Sequence, residues 1–505
     1  MKNSSLNKYD VIIVGAGPCG LYAAYKIITK KPKAQILILD MGNEVSKRKC
    51  PAIQGKTKCM KCKTCSIMSG VGGAGAFSDG KFPITNDFGG FLWEKVGKEK
   101  SLELQREVDY LNYGLYCVAN KMIPGTEEGD RDSEVGMTEK GFPKLYKSSE
   151  TPYKKICTQH NLHLLDADIR HLGTDLGQVI YSELYKQLVH FGVHFETNMR
   201  VDSIQYFAGD TPDNVVWCAN TYHTQKVDGI ENKEEQYCAD NIVIATGRSG
   251  SEFVKKVCEK LDFATSSNKV DIGIRFECPD EIWSHITKDL YESKIIYKTK
   301  LYEDEVRTFC MNPSGEVVTE NTNGLITVNG HAFEDKSKKT NNTNFALLVS
   351  QTFTEPFNDS SEYGNAIVKL SNMLGGGVIV QRYGDLVRGK RSTRARMKHN
   401  TVIPTLNAEP GDLSWILPKR ILDDILEMIE KLDHLVPGMM NDDNLLYGVE
   451  VKHYNNTVNL DDHFEPKNSG LGGIYFGGDG SGWTHSLSQA SASGLAIGEE
   501  ILKRI

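Results

Sequence analysis

The sequence holds no apolar run long enough to cross a bilayer as a helix, and residues 1–7 are polar, without the apolar stretch of a secretion signal. These absences argue against a helical membrane span and make a cytoplasmic location the expectation, where Asn455-Asn456-Thr457 would go unglycosylated. Strong charge of one sign is also missing. A net charge of −7 over 505 residues points to neither nucleic acid nor an anionic membrane as a partner of the whole chain. Twelve cysteines in so large a chain do not make the framework of a small secreted domain, which leaves metal, redox or plain core roles. Eight of them are scattered, and most of those are expected as buried hydrophobes. With ordinary apolar and charged fractions, the length suits about two or three domains.

What is present begins at residue 10. Residues 10–14 are a short apolar, β-branched run, the pattern of a strand buried on both faces of a parallel sheet. Gly15-Ala16-Gly17-Pro18-Cys19-Gly20 follows at once, residues 21–28 read as a helix, and residues 36–39 form a second buried strand that stops at Asp40. This is the order of a dinucleotide-binding βαβ unit. Gly15 allows the tight turn, Gly17 lets a pyrophosphate approach the backbone, and Gly20 lets helix and strand pack closely. The helix start, with Pro18 in it, faces the phosphates, and Asp40 would accept hydrogen bonds from an adenosine ribose.

After Asp40 the chain turns basic and cysteine-rich, with Cys50, Cys59, Cys62 and Cys65 spaced Cys-x8-Cys-x2-Cys-x2-Cys. Four thiolates can close a zinc site, or hold an iron–sulfur cluster, or include a dithiol pair that exchanges electrons; reduced bystanders complete the alternatives. No histidine or second Cys-x-x-Cys pair nearby decides among them. Residues 70–81, Gly-Val-Gly-Gly-Ala-Gly-Ala-Phe-Ser-Asp-Gly-Lys, form a backbone able to lie against a flat or anionic ligand, and we read them as a second cofactor-contacting loop.

Further on, helical patterning covers 101–116, and His171 precedes a helix over 176–191 with Thr174 or Asp175 as its N-cap. Residues 194–195 and 200–207 read as strands, with 215–223 pairing against them in an antiparallel meander. Residues 242–247 form a buried strand ending at Thr246-Gly247, where backbone passes a cofactor in sheets of this kind. From 270 to 451, strand-like runs at 270–277, 294–302, 306–311, 324–328 and 345–353 suggest an antiparallel sheet, with helices over 363–374 and 419–432. The end returns to a strand and glycine turn at 472–482 and a small-residue helix over 486–503. There Gly478 lies in the turn, Asp479 is placed for a ribityl hydroxyl, and the amides of Trp483, Thr484 and His485 would open the helix and face the negative edge of a reduced flavin. The expected fold is α/β: a doubly wound, Rossmann-like parallel sheet plus β-meander, with an inserted α+β substrate domain. Its boundaries fall at 1–90, 155–262 and 465–505 for the nucleotide domain, 46–66 for the cysteine insertion and 263–464 for the substrate domain.

Five stretches, 72–81, 171–175, 308–315, 449–458 and 478–494, together with the glycine loop, resemble the FAD-dependent dehydrogenase family with a single nucleotide domain, within the glutathione-reductase-like FAD-binding superfamily. That resemblance implies FAD at Gly15, Gly17, Gly20, Asp40, Gly73, Ala74, Ser78, Asp79, Val201, Thr246, Gly247 and Asp479. Two features depart from it: the four-cysteine insertion, and Lys452-His453 where an Arg-Thr pair is usual. Both bear on substrate and electron donor.

A flavin enzyme needs a proton donor or acceptor beside the ring, and His171 and His485 are the candidates, with Cys310 as a thiol partner. Locally bonded histidines and an inert cysteine are the competing readings. Arg382, Arg388, Lys390, Arg391, Arg394, Arg396 and Lys398 form a second basic cluster, either a solvated face or a clamp for carboxylate or phosphate. No second Gly-x-Gly-x-x-Gly follows a strand between Val201 and Asp479, so NAD(P)H, if it is the donor, would visit the substrate cleft. The expectation is hydride transfer between flavin and a small or lipid-like substrate. The alternatives are flavin-dependent modification of nucleic acid, which the acidic balance disfavours, and electron transfer between flavin and a cysteine cluster.

Overall fold

The computed structural model describes residues 8–51, 62–122, 142–148, 151–208, 215–227, 229–290, 292–322, 324–332, 337, 339–353, 357, 359–467 and 469–505. The chain divides into two compact units. The first comprises Met1–Leu145, Ile169–Ser266 and Asn455–Ile505, and the second Tyr146–Asp168 and Ser267–Tyr454.

In the first unit the apolar run of Lys8–Val14 forms the centre of a parallel sheet, because each face of a strand so patterned must be covered. Val11 and Ile13 join one core while Ile12 and Val14 join another on the opposite face. Ile36–Asp40 pairs on one side of this strand and Glu234–Ile244 on the other, both parallel. His194–Thr197 extends the sheet beyond Ile36–Asp40, and Ile474–Phe476 lies parallel to Ile242, Val243 and Ile244. The first half of Glu234–Ile244 instead pairs antiparallel with Val215–His223, which pairs with Met199–Ala208. One long strand thus serves both the parallel sheet and a β-meander, a Rossmann-like arrangement. Helix Pro18–Lys30 packs on helix Leu487–Leu502 at Gly494, where a Cβ would lie 2.1 Å from the Cys19 carbonyl oxygen.

Several expected elements are corrected. His194–Thr197 is not part of the meander; it runs parallel to Ile36–Asp40 at the far side of the sheet. The helix expected over 176–191 is Gly173–His190, with Leu172 at the N-cap position, because the Thr174 hydroxyl donates to Ser78 O at 2.8 Å instead of capping. The closing helix begins at Leu487, after Trp483, Thr484 and His485; Ser486 caps it by accepting from Gln489 N. The run 294–302 shortens to Ile295–Lys298, since Thr299 N bonds Asp304 O and turns the chain. Cys218 and Cys238, opposite each other in the meander, are joined as a disulfide.

The second unit contains a sheet ordered Glu409–Pro410, Ile379–Arg382, Leu445–His453, Val270–Pro279, Asn342–Gln351, Glu305–Asn312, Ile295–Lys298 and His163–Leu164. Helices Asp280–Leu290, Ser360–Gly375 and Lys419–Leu435 pack against it. Along Val270–Pro279 the even-numbered positions Val270, Ile272, Ile274, Phe276 and Cys278 enter the apolar core. On the other face lie Asp271, Arg275 and Glu277, charged and yet fully buried. Each is partnered: Asp271 by Arg307, Ser350 and Tyr454, Arg275 by Glu450, Glu277 by Thr405, Tyr447 and Asn342.

Candidate functional site

Gly15 sits at φ +108°, and a Cβ on it would lie 2.7 Å from the Ala245 carbonyl oxygen; Gly20 passes so near Gly15 that its Cβ would lie 2.0 Å from the Gly15 oxygen. Both glycines are therefore required by the fold. Gly17 is different. Its backbone is extended, and a Cβ there would meet nothing nearer than Gly73 Cα at 4.0 Å. It is the N-cap of Pro18–Lys30 and brings no side chain to the first-turn amides, while Pro18 occupies the first turn. That leaves the positive end of the helix dipole open to an anion.

The second glycine loop closes over the first. Gly72 N donates to Ala16 O at 2.8 Å, and a Cβ on Gly73 would lie 3.1 Å from Gly17 Cα. Gly73–Phe77 is a single 3₁₀ turn containing Ala74. A Cβ on Gly75 would touch the Tyr181 hydroxyl at 3.1 Å, a buried group with no hydrogen-bond partner. The loop continues through Ser78 and Asp79, where Leu172 N donates to Gly80 O at 2.9 Å and Gly173 N to Asp79 O at 3.0 Å. These bonds set His171, one residue before Leu172, against the same loop. Arg48 anchors the loop from the other side and was not singled out by sequence reasoning. It is buried, donates to Ser66 O, Ile67 O and Val71 O at 2.7–2.8 Å, and lies 4.5 Å over the Phe77 ring. Burial pushes its guanidinium down to about 10.

Asp40 does more than await a ribose: Oδ2 accepts from Ala16 N and Oδ1 from Gly42 N, each at 2.9 Å. The carboxylate thus ties the second strand to the glycine loop and keeps one lone pair per oxygen. At the carboxyl end of Glu234–Ile244, Gly480 N donates to Thr246 O at 2.8 Å, while the Thr246 hydroxyl oxygen is buried and has no partner. A Cβ on Gly247 would meet nothing within 4 Å. The carboxyl terminal turn is therefore bound directly to the Thr246-Gly247 strand end. In that turn Gly478 has φ +68° and lies against Cys19. Asp479 accepts from the Thr484 hydroxyl at 2.9 Å and faces Arg248 at 3.7 Å. Burial pushes its carboxyl up to about 6, with Arg248 and Thr484 acting in the opposite sense. His485 N donates to Gly89 O at 2.8 Å and its ring stands edge-on to Phe91, so this amide is engaged by protein. Val201 is buried in Met199–Ala208, where it pairs with Thr221.

Two glycine loops, a strand end and a terminal turn thus converge in one unit from widely separated parts of the chain. An uncapped helix start, an orphaned Thr246 hydroxyl and two glycines whose missing side chains the protein itself does not require fit a dinucleotide such as FAD. Among the described residues no three His, Cys, Asp or Glu side chains are grouped to hold a metal ion. Cys59 lies outside the described residues; Cys50 is half-buried, and Cys62 and Cys65 are exposed.

Cys310 belongs to the second unit. It sits at φ +47° in a bulged part of Glu305–Asn312, its N donating to Glu292 and its O accepting from Arg275 and Asn312. The buried Arg275–Glu450 pair beside it is bidentate, at 2.8 and 2.9 Å, and Lys452 adds a second cation at 3.2 Å from Glu450. Burial, with Lys452 nearby, holds His453 below its ordinary range. Most of the second basic cluster is already neutralised: Arg382 by Asp443 and Asp385, Arg388 by Asp442, Arg394 by Glu409 and Arg396 by Asp385.

Comparison with solved structures finds glycine oxidase from Geobacillus kaustophilus, 11% identical, covering 99% of this chain and 95% of that one at a TM-score of 0.38. A flavoprotein/dehydrogenase from Cytophaga hutchinsonii is 10% identical, covering 98% and 79% at a TM-score of 0.36. Glycerol-3-phosphate dehydrogenase from Bacillus halodurans, complexed with FAD, is 10% identical, covering 98% of this chain and 65% of that one at 0.38. Likeness at this level carries no argument about substrate. No curated protein matches. Residues 272–453, just over a third of the chain, match the family described as FAD-dependent protein, C-terminal domain-like, in agreement with the resemblance carried by the motifs.

Proposed function

We propose that the chain is an FAD-dependent oxidoreductase that transfers a hydride between flavin and a small or lipid-like substrate. What carries the reading is the contact of the two glycine loops, Gly72 N on Ala16 O with Gly73 against Gly17, beside an uncapped helix start. When bound, FAD supplies hydride acceptance and donation. The chain's own residues do the rest. Gly15, Gly17, Gly20 and Pro18 hold the diphosphate against the first-turn amides. Asp40 takes the adenosine ribose on its remaining lone pairs, and Gly73, Ala74, Ser78 and Asp79 cover the cofactor from the second loop. Thr246 and Gly247 pass beside it, and Asp479 accepts from a ribityl hydroxyl. His171 and His485 hold or move the proton at an imidazole nitrogen, and Cys310 is the thiol candidate of the other unit. Residues 263–464 form the substrate domain.

The test is anaerobic purification followed by a visible spectrum. Flavin bands at one equivalent per chain are expected, and their absence, with no uptake of added FAD, overturns the reading. Reduction trials with NADH and NADPH then decide the donor, and metal and sulfide analysis of the same sample decides whether Cys50, Cys59, Cys62 and Cys65 hold zinc, an iron–sulfur cluster or neither.

A further inference from the structure

Gln381 is fully buried in the second unit, and two surface segments meet on its amide. Its Nε2 donates to Lys390 O at 2.9 Å and its Oε1 accepts from Leu413 N at 2.8 Å, while Ser392 N donates to Gly411 O at 3.0 Å. The loop after Tyr383–Val387 and the turn Leu413–Trp415 are thereby parts of one surface. Trp415 on that surface is 74% exposed and Val387 54% exposed. The exposure of Trp415 is imposed by structure. Leu413 and Ile416, on either side, are buried, and Asp412 fixes the turn by accepting from Ser414 N at 3.0 Å.

The charge around these two residues is opposite to that of the whole protein. Residues 382–398 contain seven Lys and Arg and a single acid, Asp385, in a chain whose net charge is −7. The arginines already named consume the neighbouring carboxylates, so the exposed Lys390, Arg391 and Lys398 make no ion pair among the described residues.

We propose that this face docks the protein on an anionic lipid surface. Trp415 and Val387 enter the boundary between headgroups and acyl chains, and Lys390, Arg391 and Lys398 meet headgroup phosphates. An exposed indole on a cationic face would also serve single-stranded RNA, but an exposed Val387 offers a base no stacking face, whereas an acyl boundary takes both side chains. No helix among the described residues is long and apolar enough to cross a membrane. The proposal is independent of the flavin reading.

The test is co-sedimentation of the full chain with vesicles of phosphatidylcholine alone and of phosphatidylcholine mixed with phosphatidylglycerol. Binding is expected to the mixed vesicles only, weakening with salt. At about five-fold per cation, Lys390→Glu with Arg391→Glu should weaken it at least about 30-fold, and Trp415→Ala about 10-fold. Both variants should melt as the wild type does, since these side chains make no internal contacts of consequence. Equal sedimentation with both vesicle types, or an unaffected charge-reversed variant, overturns the proposal. So does binding of a single-stranded RNA oligonucleotide without vesicle binding, which would give the face to nucleic acid.

Discussion

The two glycines Gly17 and Gly20 differ in what a methyl group would meet, and that difference separates a ligand's requirement from the fold's. At Gly17 the backbone is extended at φ −76°, and an alanine Cβ would meet only Gly73 Cα at 4.0 Å. Loss of unfolded-chain entropy favours alanine by about 0.4–1 kcal/mol, and the weaker N-cap offsets a few tenths or more, so the apoprotein should melt within about 1–2 °C of wild type. A pyrophosphate lying on that backbone would be pushed away by the same methyl. Overpacking of this kind costs about 1–3 kcal/mol, which is about 5–150-fold in FAD affinity. Gly20→Ala places its Cβ 2.0 Å from the Gly15 oxygen and should destabilise the apoprotein itself. The assay is a thermal melt of both apoproteins beside a flavin-fluorescence titration. If Gly17→Ala binds FAD as wild type does, or melts as low as Gly20→Ala, the placement of the diphosphate is wrong.

Glu450→Ala leaves the fully buried Arg275 without its carboxylate, at about 3–5 kcal/mol, and should lower the melting transition of the second unit by about 6–20 °C; replacing both residues by apolar ones of similar volume should recover most of it. Asp479 has its folded pKa raised to about 6, so its stabilising contribution to the apoprotein is present below its unfolded value near 4 and is lost as pH rises through 6. The difference in stability between wild type and Asp479→Asn, followed by melts from pH 4 to 7.5, should therefore change by about 2 kcal/mol, with the wild type falling behind as pH rises. Cys218 and Cys238 close a loop of sequence separation 20, and replacing both by alanine should cost about 3 kcal/mol in denaturant unfolding, with an intact mass in the wild type two hydrogens below that of the reduced chain.

The βαβ unit was legible because everything that makes it is local: the apolar run at 11–14, the glycines at 15, 17 and 20, and the acid at 40 all act within one short stretch. The reach of Glu234–Ile244 was not legible. Its first residues, Glu234-Glu235-Gln236, are polar because they pair in the meander, and only the apolar half at 242–244 announces a buried strand. Val270–Pro279 misleads in the opposite way. Its alternation of apolar and charged residues reads as a strand with one wet face, yet Asp271, Arg275 and Glu277 are buried, because their partners Arg307, Glu450 and Tyr447 lie far away in sequence. The start of Gly173–His190 escaped for a similar reason: Thr174 carries the right side chain for a cap, but Ser78, nearly a hundred residues earlier, takes its hydroxyl. Of the site, the glycine loops were visible in sequence, whereas Arg48 was one cation among many until its three carbonyl partners were known.

The strand shared by sheet and meander has a consequence for how the protein is made. Ile242, Val243 and Ile244 leave the ribosome about 230 residues ahead of Ile474–Phe476, which at about 5–20 residues per second is an interval of about 12–46 s. Throughout synthesis of the second unit the nascent sheet therefore presents an apolar, hydrogen-bond-hungry border, the kind of edge that chaperones shield and that aggregates recruit. The sheet of the first unit is born incomplete, and it waits for Ile474–Phe476 to finish it.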